Sequence, residues 1–137
     1  MVGEQLDVLI VDDQAGVRFL LEIVVREAGH RVHTAQNGFE AIEFARKRRP
    51  DLIFMDVRMP LIGGLEALGE IKASNPKIQI IIMTAYGSEK TVSEALKKGA
   101  YCCIAKPFDV NEIKELLDKF VYWRSNFAET AASGYVC

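Results

Sequence analysis

Three acids, one hydroxyl and one lysine hold the chemical possibilities of this sequence. Asp56 closes the apolar run Asp51-Leu52-Ile53-Phe54-Met55 and is followed by Val57-Arg58-Met59-Pro60. Leu6 to Val11 runs into Asp12-Asp13, Ile78 to Met83 runs into Thr84-Ala85, and Tyr101 to Ala105 runs into Lys106-Pro107. Each run has the length of a buried strand and is bounded by turn residues. A polar side chain at the C-terminal end of such a strand faces the crevice where open α/β sheets bind ligands. One such residue alone is ordinarily a solvated loop residue. All of these together, each at the same end of a strand, describe one site.

Carboxylates packed in this way repel and raise one another's pKa. A divalent cation relieves the repulsion, and hard oxygen ligands select Mg²⁺ or Mn²⁺. One carboxylate can then attack phosphorus to give an aspartyl phosphate. The metal and a lysine would neutralise charge on the transferred oxygens. Lys106 and Thr84 suit a lysine contact and a hydroxyl hydrogen bond to the phosphoryl group.

The elements that position these residues alternate along the chain. The first strand spans 6–11. Val17, Leu20, Leu21, Val24, Val25 and Ala28 recur on one face of a helix that Gly29 stops. Phe19 and Ile23 fall off that face, as ordinary exposed apolar residues or, less simply, as part of a docking surface. A second strand covers 31–35. Asn37 caps a helix over 38–48, with Lys47-Arg48-Arg49 complementing its dipole.

After Asp56 come a loop over 57–63, a helix over 64–73 and the almost wholly apolar strand 78–83, which reads as central and covered on both faces. The helix over 89–98 has a thin apolar face. Asp109 and Glu112 have capping-box spacing before the last helix. Right-handed crossovers make this an α/β protein, a flavodoxin-like (βα)5 doubly wound parallel sheet of order 2-1-3-4-5. Residues 1–123 are expected to form the domain and 124–137 a disordered tail.

The chain has 137 residues, half of them hydrophobic, and a net charge of −2. That fits one domain and leaves no electrostatic footprint for nucleic acid or an anionic membrane. No apolar stretch spans a bilayer and no signal peptide is visible, which places the chain in the cytoplasm. Cys102, Cys103 and Cys137 match neither zinc spacing nor a disulfide framework and read as small buried or incidental thiols. His30 and His33 are isolated and read as surface or strand histidines.

Val11-Asp12-Asp13, Met55-Asp56-Val57-Arg58-Met59-Pro60, Met83-Thr84-Ala85 and Ala105-Lys106-Pro107-Phe108 resemble, in order, the motifs of the CheY-like receiver domain of two-component response regulators. The resemblance covers 6–121. Within the family the chain looks most like the single-domain receiver of the sporulation phosphorelay, through Asp12-Asp13-Gln14 and Ile82 to Gly87. It implies that Asp56 accepts phosphate from a phosphohistidine. Asp13, Asp56 and the Arg58 backbone carbonyl would bind Mg²⁺, with Asp12 acting through a water. Lys106 would contact the phosphoryl group, Thr84 would move toward it, and the Lys106-Pro107 bond would be cis. Cys103 stands where many receivers carry a switch aromatic, and Gly63 replaces a common acidic residue.

In-line transfer brings a partner against the rim of the site. The expected contacts are Gln14, Gly16, Val17, Arg18 and Leu20, with Ile62, Tyr86, Pro107 and Phe108. The first functional expectation is a monomeric single-domain phosphorelay intermediate. It takes phosphate from a sensor histidine kinase and passes it to a histidine phosphotransferase, without binding nucleic acid or membrane. It is not an enzyme beyond its own phosphorylation and dephosphorylation. The second is the receiver of a longer transcription-activating regulator; the absence of a recognisable linker after 122 favours the first. The third is a Mg²⁺-dependent phosphohydrolase of haloacid-dehalogenase type. It requires an acid two residues after the nucleophile, where Gln14 follows Asp12 and cannot serve.

Overall fold

The computed structural model describes residues 5–85 and 88–127. Five strands, β1 (Asp7–Val11), β2 (Arg31–Ala35), β3 (Leu52–Asp56), β4 (Gln79–Thr84) and β5 (Cys102–Ala105), alternate with five helices. These are α1 (Ala15–Glu27), α2 (Gly38–Arg48), α3 (Gly64–Ser74), α4 (Glu89–Lys97) and α5 (Val110–Phe127). The strands pair in parallel in the order β2-β1-β3-β4-β5, the doubly wound flavodoxin-like arrangement expected from the chain's alternation. The chain reverses direction once, after β2, so the ends of β1 and β3 lie side by side.

Side chains alternate between two apolar layers, as strand geometry requires. Val8, Ile10, Leu52, Phe54, Ile81 and Met83 pack against Leu21 and Val25 of α1 and Ile113, Leu117 and Phe120 of α5. Leu9, Val11, Ile53, Met55, Ile80 and Ile82 pack against Ala41 of α2, Leu68 of α3 and Ala95 of α4. Every residue of β3 is buried, so Asp56 is carried to the sheet edge by a strand with no freedom to shift. Ala95 is the one buried side chain of α4, in keeping with its thin apolar face.

Helix ends follow local chemistry. The Asn37 side chain accepts from the Glu40 backbone N–H at 2.8 Å. Asp109 and Glu112 form the reciprocal capping box, at 2.8 and 3.2 Å. Gly29, next to the Ala28 cap of α1, takes φ +94°, a conformation that favours glycine.

Three expectations change. Helix α5 runs through 124 to Phe127, so the start of the expected disordered tail is helical; residues 128–137 lie outside the described residues. Its extension is held by tertiary contacts that no helical period announces. Trp123 meets Tyr101 at 5.1 Å between ring centroids, and Arg124 pairs with Asp51 at 2.7 Å. His30 is buried and its Nδ1 accepts from the Leu6 N–H at 3.1 Å, an internal strut rather than a surface residue. Cys103 is a buried free thiol, whose pKa burial raises, but Cys102 is disulfide-bonded rather than incidental.

Candidate functional site

The C-terminal edge of the sheet gathers the residues singled out above. Asp12 follows β1 and is wholly buried. Its Oδ1 accepts from the Gln14 N–H at 2.9 Å, and its Oδ2 accepts from Lys106 Nζ at 2.6 Å. Lys106 Nζ also lies 3.2 Å from Asp56 Oδ1, so one cation bridges two acids. The Lys106 N–H donates to the Thr84 carbonyl at 2.9 Å, which fixes the lysine against the end of β4. Thr84 and Asp56 are each less than a tenth exposed, whereas Asp13 is exposed. The Lys106-Pro107 peptide is cis.

Burial raises the Asp56 pKa above the usual carboxylate value, and the charge of Asp12 adds to the effect, while Lys106 opposes it. Burial also works against the charge on Lys106. Its hydrogen bond to Asp12 and the charges of Asp56 and Asp12 outweigh this, and its pKa is raised. Carboxylate oxygens of Asp12, Asp13 and Asp56 all lie within 4.8 Å of one another. Three hard oxygen donors this close, facing one lysine, suit a divalent cation such as Mg²⁺.

Glycines let the surrounding backbone close on the cluster. A Cβ on Gly64 would run into the Asp56 carbonyl oxygen, and one on Gly38 would run into that of Ile62. The Gly64 N–H donates to the Val57 carbonyl at 2.8 Å. Gly63 and Gly64 therefore allow α3 to start hard against β3.

The residues expected at the rim divide into two groups. Gln14, Gly16, Leu20 and Pro107 are exposed near the cluster in sequence, and Arg58 is exposed two residues past Asp56. Val17 and Phe108 are half-buried against the α1/α5 layer, and Ile62 against the other layer, so the core takes part of their surface. Tyr86 lies outside the described residues. Arg18 departs from its expected outward role: Nη1 donates to the Asp12 carbonyl at 2.7 Å, clamping the loop that presents the acids. Leu61, exposed and with φ +70° in the loop between β3 and α3, was not singled out by sequence reasoning. No period marks it, and only its backbone conformation and exposure set it apart.

The response regulator receiver domain profile matches residues 8–118. Sporulation initiation phosphotransferase F of Bacillus subtilis is 40% identical over 119 residues, covering 87% of this chain and 96% of that protein. Transcriptional regulatory protein ZraR of Escherichia coli is 40% identical over 133 residues, 96% of this chain but 30% of ZraR. The crystallised chemotaxis protein CheY4 of Vibrio cholerae superposes with a TM-score of 0.80 at 30% identity, covering 85% of this chain and 98% of that one. With the sheet order and the acid cluster in place, these matches agree: the chain belongs to the response regulator receiver domain family.

Proposed function

We propose that Asp56 is the phosphoacceptor of this receiver. The supporting observation is the placement of Asp56 within reach of both Lys106 and the oxygens of Asp12 and Asp13. An Asp56 carboxylate oxygen attacks the phosphorus of a phosphohistidine. The P–N bond breaks, and the imidazole leaves with the bonding electrons. Lys106 moves its charge from the carboxylates to the phosphoryl oxygens, and the Thr84 hydroxyl donates to one of them. Asp13, Asp56 and the Arg58 carbonyl would hold Mg²⁺ or Mn²⁺. Bound there, the ion supplies further neutralisation of phosphoryl charge. Asp12 orients Lys106 and, through Gln14 and Arg18, the loop.

The chain acts as a single-domain intermediate between a sensor histidine kinase and a histidine phosphotransferase. Its match to nearly the whole sporulation phosphotransferase supports this reading. The partners meet the site rim at Gln14, Gly16, Leu20 and Pro107, with the exposed parts of Val17, Arg18, Ile62 and Phe108, and with Tyr86. A second reading, the receiver of a longer regulator, is favoured by the ZraR match, which extends over 96% of this chain. Among the described residues no helix is long and apolar enough to cross a membrane.

Incubation with acetyl phosphate and Mg²⁺ should label the wild type stoichiometrically and leave Asp56→Asn unlabelled. Labelling of the variant would move the phosphoacceptor elsewhere. Transfer from the labelled protein to a histidine phosphotransferase separates the relay reading from the regulator reading.

A further inference from the structure

The three acids of the cluster are not held alike. Lys106 Nζ lies 2.6 Å from Asp12 and 3.2 Å from Asp56, so both carboxylates are fixed by a cation. Asp13 is exposed, and among the described residues no hydrogen bond or ion pair fixes its carboxylate. Its oxygens nonetheless fall within 4.8 Å of those of the other two. The backbone that carries Asp13 must therefore aim it.

Both peptide groups that flank Asp13 are tethered. The one after it is held through the Gln14 N–H, which donates to Asp12 Oδ1 at 2.9 Å. The one before it joins Asp12 to Asp13, and its carbonyl oxygen accepts from Arg18 Nη1 at 2.7 Å. A peptide group is planar, so only the torsions on either side of it can swing it. Fixing its oxygen removes that swing, which would otherwise carry the Asp13 side chain away from the cluster. Arg18 is a firm anchor: it is half-buried, and its own N–H donates to the Gln14 carbonyl at 3.1 Å in α1. The Gln14 side chain makes no cap bond at the start of α1, so it lends no help.

We infer that Arg18 is a positioning residue for the cation site: by holding the Asp12–Asp13 peptide group it aims Asp13 and raises the affinity for a divalent cation. This role rests on the reading of the acid cluster as the cation site of the phosphoacceptor. Two effects of Arg18 oppose each other there. Its positive charge repels a divalent cation, which weakens binding. Its hydrogen bond orders an oxygen ligand in advance, which strengthens binding by lowering the cost of ordering it later. The charge is half-exposed and screened by solvent and salt, whereas a charge-assisted bond of 2.7 Å is at the short, strong end of its class. Geometry therefore outweighs charge, and the two effects can be told apart by sign.

The test measures Mg²⁺ binding to the full chain by titration calorimetry, with no phosphodonor present. Arg18→Met keeps the aliphatic stem and removes both the charge and the donor. It should bind Mg²⁺ about fivefold more weakly than the wild type, although a repelling charge has gone. Arg18→Lys keeps the charge and can make the same single bond to the Asp12 carbonyl, and should return to within about twofold of the wild type. Both variants should keep one cooperative melt in EDTA. Unchanged or tighter Mg²⁺ binding by Arg18→Met overturns the inference, because the charge would then act alone. So does an Arg18→Lys variant as weak as Arg18→Met, or a variant that does not fold in EDTA, which would make Arg18 a residue of the fold. Failure of the wild type to bind Mg²⁺ overturns the underlying reading of the cluster instead.

Discussion

Asp7 and Asp51 lie at the N-terminal edge of the sheet; Asp12, Asp13 and Asp56 lie at the opposite edge. At the first edge Arg31 donates to Asp7 from two nitrogens, at 2.8 and 3.1 Å. Asp51 accepts from Arg124 at 2.7 Å and from the Asp7 N–H at 2.8 Å. At the second edge three carboxylates converge and Lys106 bridges two of them. One residue type thus serves two ends. Matched acids hold strands and α5 together, while unmatched acids store repulsion that a cation or a phosphoryl group can relieve. The pKa shifts mirror this: the Arg31 hydrogen bond lowers that of Asp7, and burial beside Asp12 raises that of Asp56.

The largest expected effect tests the unmatched edge. Mg²⁺ at a hundredfold excess over its Kd should stabilise the wild type by about 2.7 kcal/mol, because the ion binds the native cluster and hardly the unfolded chain. Asp13→Asn should raise the melting point in EDTA and lose most of the Mg²⁺ response. Equal wild-type midpoints with and without Mg²⁺ would remove the idea of stored repulsion.

The contrast between the edges was only half legible in the sequence. Asp12, Asp13, Asp56, Thr84 and Lys106 could be read because each ends an apolar run, and strand periodicity places such ends together. The strand order followed from the alternation of elements. Asp51 with Arg124, and Asp7 with Arg31, could not be read. Their partners are 73 and 24 residues apart, and a charge on a helix or strand carries no mark of what it will meet. Arg18 was placed on the rim for the same reason. Helical spacing gives the side a residue faces, but it does not show a long side chain folding back onto the Asp12 carbonyl.

Next in size is a break at the matched edge. Asp51→Ala removes the Arg124 pair and leaves the Asp7 N–H without its acceptor. A loss of about 1–3 kcal/mol is expected, most of it from the orphaned N–H, since an exposed pair contributes little. Chemical denaturation measures it, and an unchanged midpoint would make that edge decorative. At the other edge Arg58→Asn should speed loss of phosphate about tenfold. That needs only about 1.4 kcal/mol of barrier. A guanidinium two residues past Asp56 would exclude the in-line water and hold charge on the phosphoryl oxygens, which asparagine would do less well. Unchanged or slower decay of the labelled protein would remove that role.

The smallest effect concerns the sign of the pH dependence, which the two edges should show in opposite directions. Asp7 has its folded pKa lowered, first by the hydrogen bond from Arg31 and then, against burial, by nearby positive charge. Its contribution is present above the unfolded value near 3.8 and is lost as pH falls through the folded pKa. Asp56 has its folded pKa raised, chiefly by burial. The folded state therefore binds its proton more tightly than the unfolded chain, and the charged form is penalised above that pKa. The penalty fades as pH falls through the raised pKa toward 3.8. Melting points in EDTA should place Asp56→Asn above the wild type at neutral pH, with the gap closing before pH 3.8 is reached. Asp7→Asn should lie below the wild type, with its gap persisting to pH 3.8 and closing only beneath it. Because Arg31 is exposed, the Asp7 gap should also shrink in high salt, whereas the Asp56 gap, set first by desolvation, should change less. Gaps that close over the same pH range would show that both aspartates feel one environment, and the division between the edges would not hold.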